Sequence, residues 1–270
     1  MTKKERAFVE TVTDFYVRHG RGSLPWRTTK DPYKILVSEI MLQQTQVERV
    51  KQKYTSFLKQ FPSVKHLALA PLGDVLVEWQ GLGYNRRAKM LHETAKAVMG
   101  EYRGHFPRTY DELLLLPGVG PYTAGAVMAF AYETPIPIIE TNIRTAYLHH
   151  FFSDKTDVDD AELMSHIIET LDLENPREWY YALMDYGSHL KKTLGNPNSR
   201  SKHYTKQSTF KDSDREIRGA IVRALSADRL SRKKLHTVLP FAIERIDAQL
   251  ERLKEEGMVS CKSNEYSLPT

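Results

Sequence analysis

An all-α fold followed by a small α+β domain is predicted for this chain of 270 residues, on three observations. Apolar residues recur at spacings of three and four through most of residues 5–191, the period of helices that bury one face. Glycine and proline breakers fall between these runs at Gly20–Gly22, Pro62, Gly81–Gly83, Pro107, Gly118–Gly120, and Pro135 with Pro137. The helices are therefore many and their connections short. No alternating strand pattern precedes residue 210, whereas Met258–Cys261 and Tyr266–Leu268 read as two strands joined by Lys262–Glu265.

In chain order, the periodic runs place helices over residues 5–19, 31–60, 65–79, 84–102, 109–116, 122–132, 140–152, 158–171 and 176–191. Residues 195–213 are polar, basic and poor in large apolar side chains, and read as a linker or a DNA-tracking loop. A new pattern starts at Arg215. Ile217, Ile221 and Leu225 mark one helix, Ser231 to Leu239 a second, and Ile243, Ile246, Leu250 and Leu253 a third that stops at Gly257. Three helices and a hairpin make a winged-helix pattern, whose third helix commonly enters a DNA groove. Here that helix mixes both signs (Glu244, Arg245, Asp247, Glu251, Arg252), which suits a protein contact or a scaffold equally. The expected division is a helical domain over 1–194, a basic linker over 195–213 and a winged-helix-like domain over 214–270.

Hydrophobic residues at 41% and charged ones at 27% are ordinary for a soluble globular protein, and no apolar run is long enough to span a membrane. The charged start, Met1 to Arg6, does not read as a signal peptide. A single cysteine, Cys261, excludes an intrachain disulfide and a cysteine-ligated cluster, and fits a reducing cytoplasm. The net charge of +5 is unevenly spread: Lys191 to Lys234 carries +9 and the remainder −4. Such polarisation is expected of a protein with one DNA-facing side, or of a solvated connector.

Candidate chemistry clusters in a few places. Leu116-Pro117-Gly118-Val119-Gly120-Pro121-Tyr122-Thr123-Ala124-Gly125 joins a Leu-rich to an Ala-rich helical run through a sharp turn, where glycine tolerates positive φ. The next helix opens with unpaired N–H groups that suit a phosphate. Gly118, Val119, Gly120 and Thr123 thus read as a grip on one DNA strand that ignores sequence. Leu82-Gly83-Tyr84, ahead of an Arg-rich helix that opens at Asn85 and Arg86, is a weak echo: a second phosphate grip or a plain connection. Glu39 stands in the apolar run Ser38 to Leu42. A glutamate in an apolar pocket has its pKa raised and can serve as a general acid, although a surface place is the commoner fate. Gln43 and Gln44 can fill a gap in a base stack or decorate a solvated helix. Arg27, after Leu24-Pro25-Trp26, suits a phosphate or a strand contact, with simple packing of Trp26 as the alternative. Tyr122 is a pocket wall or a core residue. Glu140 supplies a second carboxylate one short helix later, with Asn142 beside it.

Five segments then occur in order: Leu24 to Arg27, Ser38 to Val47, Gln80 to Tyr84, Leu116 to Gly125, and Met184-Asp185-Tyr186-Gly187. Together, over residues 5–190, they resemble the helix-hairpin-helix DNA glycosylases, most closely the MutY-type adenine glycosylases. The resemblance implies a two-lobed helical domain with its active site between the lobes, and a mispaired base flipped out of the duplex. It implies that Glu39 protonates the departing base at a ring nitrogen. It assigns Glu140 to stabilising positive charge on the sugar and orienting water, with support from Asn142. Tyr122 stands where bifunctional relatives carry a nucleophilic lysine, so a Schiff base and strand cleavage are not expected. The implied partner is double-stranded DNA with a mismatch or damaged base, bound by a cytoplasmic monomer with no membrane role. No metal site is visible; the resemblance allows a monovalent cation at the hairpin near Val119, between its carbonyls and a phosphate.

Four departures shape the specificity expected. Glu140 replaces the family aspartate. One methylene moves the charge by about 1.5 Å, and about 1 Å can cost ~100-fold in rate. The four cysteines that hold an iron–sulfur cluster just after residue 190 are absent. Lys191, Lys192, Arg200, Lys202, His203 and Lys206 occupy the region, a basic loop expected to bind phosphates without a cluster. Asn85 stands where a second tyrosine commonly wedges beside the opposing base, a stacking contact worth ~1–3 kcal/mol. A winged-helix-like segment stands in place of the domain that reads 8-oxoguanine. A monofunctional enzyme is expected, releasing adenine opposite 8-oxoguanine or guanine. Thymine or uracil opposite guanine comes second, and a non-catalytic DNA-binding protein on the same scaffold third.

Overall fold

The computed structural model describes residues 1–270. In chain order the helices are α1 (Lys3–His19), α2 (Pro32–Leu42), α3 (Val47–Gln60), α4 (Val64–Leu69), α5 (Leu72–Glu78), α6 (Arg86–Glu101), α7 (Tyr110–Leu114), α8 (Pro121–Ala131), α9 (Thr141–Phe151), α10 (Asp160–Thr170) and α11 (Pro176–Leu194). They are followed by α12 (Asp214–Ala227), β1 (Leu230–Ser231), α13 (Arg232–Val238), α14 (Ile243–Glu255), β2 (Ser260–Lys262) and β3 (Glu265–Ser267). The expected all-α body and small α+β end are both present. None of the helices is long and apolar enough to cross a membrane.

Local signals explain several boundaries. α1 and α10 each open on a capping box, Thr2 with Glu5 and Asp159 with Glu162, which satisfies the first free N–H groups reciprocally. The single helix expected over 31–60 is instead two. Gln43 to Gln46 form a turn in which Gln44 takes a left-handed φ of +54°, although no glycine or proline marks the spot.

The chain divides into two compact units. The first comprises Met1–Leu36, Arg108–Leu114 and Val119–Lys206. Its core is aromatic: Phe8 packs on Tyr147 with ring centroids 4.8 Å apart and edge-on to Trp179, while Phe130 stacks on Tyr181. α9 lies along α11, and α1 covers both α10 and α11. The second unit comprises Val37–Pro107, Leu115–Gly118 and Gln207–Thr270. Trp79, Phe57, Leu76 and Leu91 fill its core beneath α4, α5 and α6. Here α12 packs on α5 and α14, and β3 pairs antiparallel with β1 and β2, Leu230 opposite Tyr266 and Cys261 opposite the same residue.

One sequence expectation needs correcting. The stretch 195–213 is not uniform linker, because its first half is strapped to the first unit. Pro197 and Asn198 are buried, and the Asn198 amide donates to the Thr141 carbonyl and to Thr145 Oγ1 at 2.6 Å. Val158 pairs with Ser201 in a short bridge, its N–H donating to the Arg200 carbonyl and its own carbonyl accepting from Lys202. The mixed charges of α14 are largely compensated within their own unit: Arg245 and Arg252 on Asp214, Asp247 on His236, and Glu251 on Arg232.

Candidate functional site

Glu140 is the N-cap of α9. Its Oε1 accepts from the backbone N–H groups of Asn142 (2.7 Å) and Ile143 (2.8 Å), and its Oε2 accepts from Asn142 Nδ2 (3.3 Å). A carboxylate in this place is favoured by the free N–H groups and the positive end of the helix dipole. Burial pushes the Glu140 pKa up; the two N–H bonds and the charges of Lys191 and Arg144 oppose that without cancelling it. The extended chain leading to Glu140 is pinned by Tyr180, whose hydroxyl accepts from the Ile138 N–H and donates to the Ile136 carbonyl. Behind the first turn of α9 lies Gly187 of α11. A Cβ there would stand 1.9 Å from the Asn142 carbonyl oxygen, so only glycine lets the two helices approach this closely. Asn142 and Glu140 are thus brought together. Tyr122, the second residue of α8, is partly exposed in the same unit.

Arg27 is misplaced by the sequence reading. Its side chain is 4% exposed and its guanidinium forms a two-point pair with Asp185 at 2.8 Å, above the Tyr181 ring. Arg21 also binds Asp185 through its backbone N–H and guanidinium. Burial alone would raise the Asp185 pKa, but the bonds and charge of Arg27, with those of Arg21, outweigh it and hold the pKa below the ordinary value. A buried guanidinium paired in this way ties the Leu24–Arg27 turn to α11 and is not available to a phosphate.

Glu39 lies in the last turn of α2, in the second unit, 6% exposed among Val37, Ile40 and Met41, which are all buried. Just beyond the helix, an open cleft of about 330 Å³ is lined by Ile40, Gln43, Gln44, Tyr84, Arg86, Arg87, Met90 and Gly118. The residues expected at a DNA interface that converge here are Gln43, Gln44, Tyr84, Arg86 and Gly118. Asn85 lines an adjoining cleft of about 460 Å³ with Gln44, Tyr84, Gln207 and Arg215. Gln207 donates to the Tyr84 hydroxyl (2.6 Å) and to Gln44 Oε1 (3.3 Å), and the Arg215 guanidinium lies over the Tyr84 ring while donating to its hydroxyl. The sequence reading misses Gln207, Arg215 and Arg87. The adjacency of Arg87 to the Tyr84 turn is the one available signal.

The hairpin is only partly as expected. Gly118 has φ +74°, and a Cβ on it would lie 2.5 Å from Met90 Cβ, so glycine is required twice over. Gly120 is extended, has open space where a Cβ would stand, and serves as the N-cap of α8. The side chains of Val119 and Thr123 are buried, which leaves their backbone for a strand. In the basic region, Lys202 pairs with Asp159 and Arg200 donates to the Ser153 carbonyl, whereas Lys192 and Lys206 are exposed and make no ion pair. Lys191 is partly buried and contributes charge at Glu140. No cysteine lies in residues 190–206, so these residues do not fit a four-cysteine iron–sulfur cluster; the Asn198 and Val158–Ser201 bonds hold the segment instead.

The fold and the hairpin between α7 and α8 define a class. Residues 37–171 match the family described as HhH-GPD superfamily base excision DNA repair protein, and the chain belongs to that superfamily. Among particular proteins it is similar to the adenine DNA glycosylase of Buchnera aphidicola subsp. Baizongia pistaciae, 36% identical over 182 residues that cover 67% of this chain and 52% of that protein. The adenine DNA glycosylase of Mycolicibacterium smegmatis is 46% identical over 127 residues, 47% of this chain and 43% of that one. The chain spans about half the length of the curated relatives it matches. A thermostable thymine-DNA glycosylase of known structure superposes with a TM-score of 0.62 and 29% identity, over 69% of this chain and 87% of that one.

Proposed function

We propose that this chain is a monofunctional DNA N-glycosylase that binds a mismatched duplex as a monomer, flips out an adenine opposite 8-oxoguanine or guanine, and hydrolyses its glycosidic bond. The observation that carries the reading is the pair of carboxylates within the family-matched stretch, Glu39 buried at the end of α2 and Glu140 fixed at the head of α9. In this reading Glu39 gives its proton to a ring nitrogen of the departing base. Glu140, oriented by Asn142, faces the positive charge that develops on the sugar and directs water to it. Tyr122 supplies no amine, so no Schiff base forms and the strand stays intact until alkali is added. The similarity to a thymine-DNA glycosylase supports a second reading, thymine or uracil opposite guanine.

Single-turnover excision on duplexes carrying A:8-oxoG, A:G, T:G, U:G and U:A, with and without alkali, tests both. Alkali-dependent cleavage of the adenine duplexes is expected. Cleavage confined to T:G or U:G replaces the first reading by the second, and silence on all of them leaves a DNA-binding protein without catalysis. In the same assay Glu140→Asp is expected to be slower by up to ~100-fold, because it draws the carboxylate back by about 1.5 Å and changes how the Asn142 and Ile143 N–H groups hold it. Because Glu140 works as the anion in this reading, excision by the wild type is expected to fall as the pH drops through its raised pKa, at higher pH than for an ordinary carboxylate.

The unpaired lysines give a separate expectation. Reversing Lys192 and Lys206 to glutamate should flatten the salt dependence of duplex binding, by about 0.9 in the log–log slope for each phosphate no longer neutralised. Lys202→Glu, which breaks an ion pair within the fold, should alter the slope less. An unchanged slope in the Lys192/Lys206 variant would remove this segment from the interface.

A further inference from the structure

One side chain ties together the pieces of the second unit that the proposed function uses. Arg87, in the first turn of α6, directs Nη1 at the carbonyl oxygens of Ile40 (2.6 Å), Met41 (3.1 Å) and Gln43 (2.6 Å). Its Nη2 reaches Thr45 Oγ1 (3.2 Å) and the carbonyls of Leu82 (3.0 Å) and Gly83 (3.2 Å). The guanidinium lies 5.5 Å from the ring centroids of both Trp79 and Tyr84. Burial lowers its pKa to about 10, which still leaves it charged at neutral pH.

A helix leaves its last carbonyls without intrahelical partners, and a glycine just beyond the end is the usual remedy. α2 has none, and Arg87 takes its place as the partner of those carbonyls. A cation there is also favoured by the negative end of the helix dipole. Glu39 immediately precedes Ile40, so the anchored turn is the turn that carries the acid. The same guanidinium fixes the Gln43–Thr45 turn, from which Gln44 projects, and the Leu82–Gly83 turn, which presents Tyr84 at a left-handed φ of +48°. Three segments are thus set in one register by one planar group. Lysine cannot reproduce this, because its ammonium is a point charge with three donors and no fixed plane.

We propose that Arg87 is a positioning residue for base excision, holding the proton donor Glu39 in register with the Gln44 and Tyr84 turns. It touches neither base nor sugar in this account, and its effect falls on the rate of bond breaking more than on DNA affinity. The proposal rests on the glycosylase reading above.

The test compares single-turnover excision by wild type, Arg87→Lys and Thr45→Val, with duplex Kd measured for each in a Glu39→Gln background so that binding is read without cleavage. Arg87→Lys is expected to excise about 100-fold more slowly while its Kd stays within about threefold, the signature of a displaced reacting group. Thr45→Val removes one acceptor of the guanidinium, with the hydroxyl's own contacts to the Gln43 and Leu82 carbonyls, and leaves the carbonyl partners of Arg87 in place; a loss of about threefold to tenfold is expected in a protein that still folds. Excision by Arg87→Lys at the wild-type rate, or a loss of rate matched by an equal loss of affinity, overturns the proposal. Should Arg87→Lys fail to fold, a wild-type rate in Thr45→Val does the same. Wild-type protein inert on every duplex would instead remove the glycosylase reading, and this proposal with it.

Discussion

Replacing Glu39 by glutamine is expected to slow base release by about 10²–10⁴-fold, the usual worth of a positioned general acid, while duplex affinity is retained. Glutamine keeps the volume of the side chain and its place in α2, so the packing around Val37, Ile40 and Met41 is undisturbed. What it lacks is a transferable proton. A nucleobase ring nitrogen is a weak proton acceptor, and a base leaving as an anion is a poor leaving group without that transfer. Single-turnover excision against the wild type, with a gel-shift Kd for each, separates the two effects. Full activity in the variant would take Glu39 out of the mechanism and leave the chemistry to Glu140 alone.

Gly187→Ala is expected to damage stability and catalysis together. The new methyl group would begin 1.9 Å from the Asn142 carbonyl oxygen, a backbone atom that no rotamer change can move aside. α9 must then shift from α11 by roughly 1 Å or more, and overpacking of this kind costs about 1–3 kcal/mol. Because Asn142 N–H and Nδ2 both hold the Glu140 carboxylate, the displaced turn carries the second acid with it. A rate loss of about 100-fold is expected in whatever fraction stays folded. Thermal melting and excision measured on one preparation check both. A variant that melts and cleaves like the wild type would mean that α9 and α11 have room to separate.

The two substitutions act on opposite kinds of sequence signal. Glu39 is readable because an ionisable residue inside an apolar run is anomalous whatever surrounds it. The value of Gly187 is not: Met184-Asp185-Tyr186-Gly187 marks a family, but nothing local says that a carbonyl from α9 will press on that glycine. Arg27 shows the same limit in reverse. An arginine after Leu-Pro-Trp reads as a phosphate ligand until Asp185, 158 residues away, is found to neutralise it. Thr123 and Val119 belong to a DNA-gripping motif by sequence, yet their side chains point into the core. The end of α2 carries no breaker at all, because the group that satisfies its last carbonyls, Arg87, comes from another helix.

Residue order was therefore enough for the helical class, most helix limits, the small α+β end and the hairpin, and it singled out the two carboxylates. Periodicity, breakers and caps act over a few residues, and an ionisable group in an apolar run stands out locally. Which charged side chains are already satisfied, and which remain for a ligand, emerged only from the folded chain. So did the anchoring of the end of α2 by Arg87 and the strapping down of half the supposed linker. Burial and ion pairing depend on residues distant in the chain, and their energies are set by the partners that folding supplies.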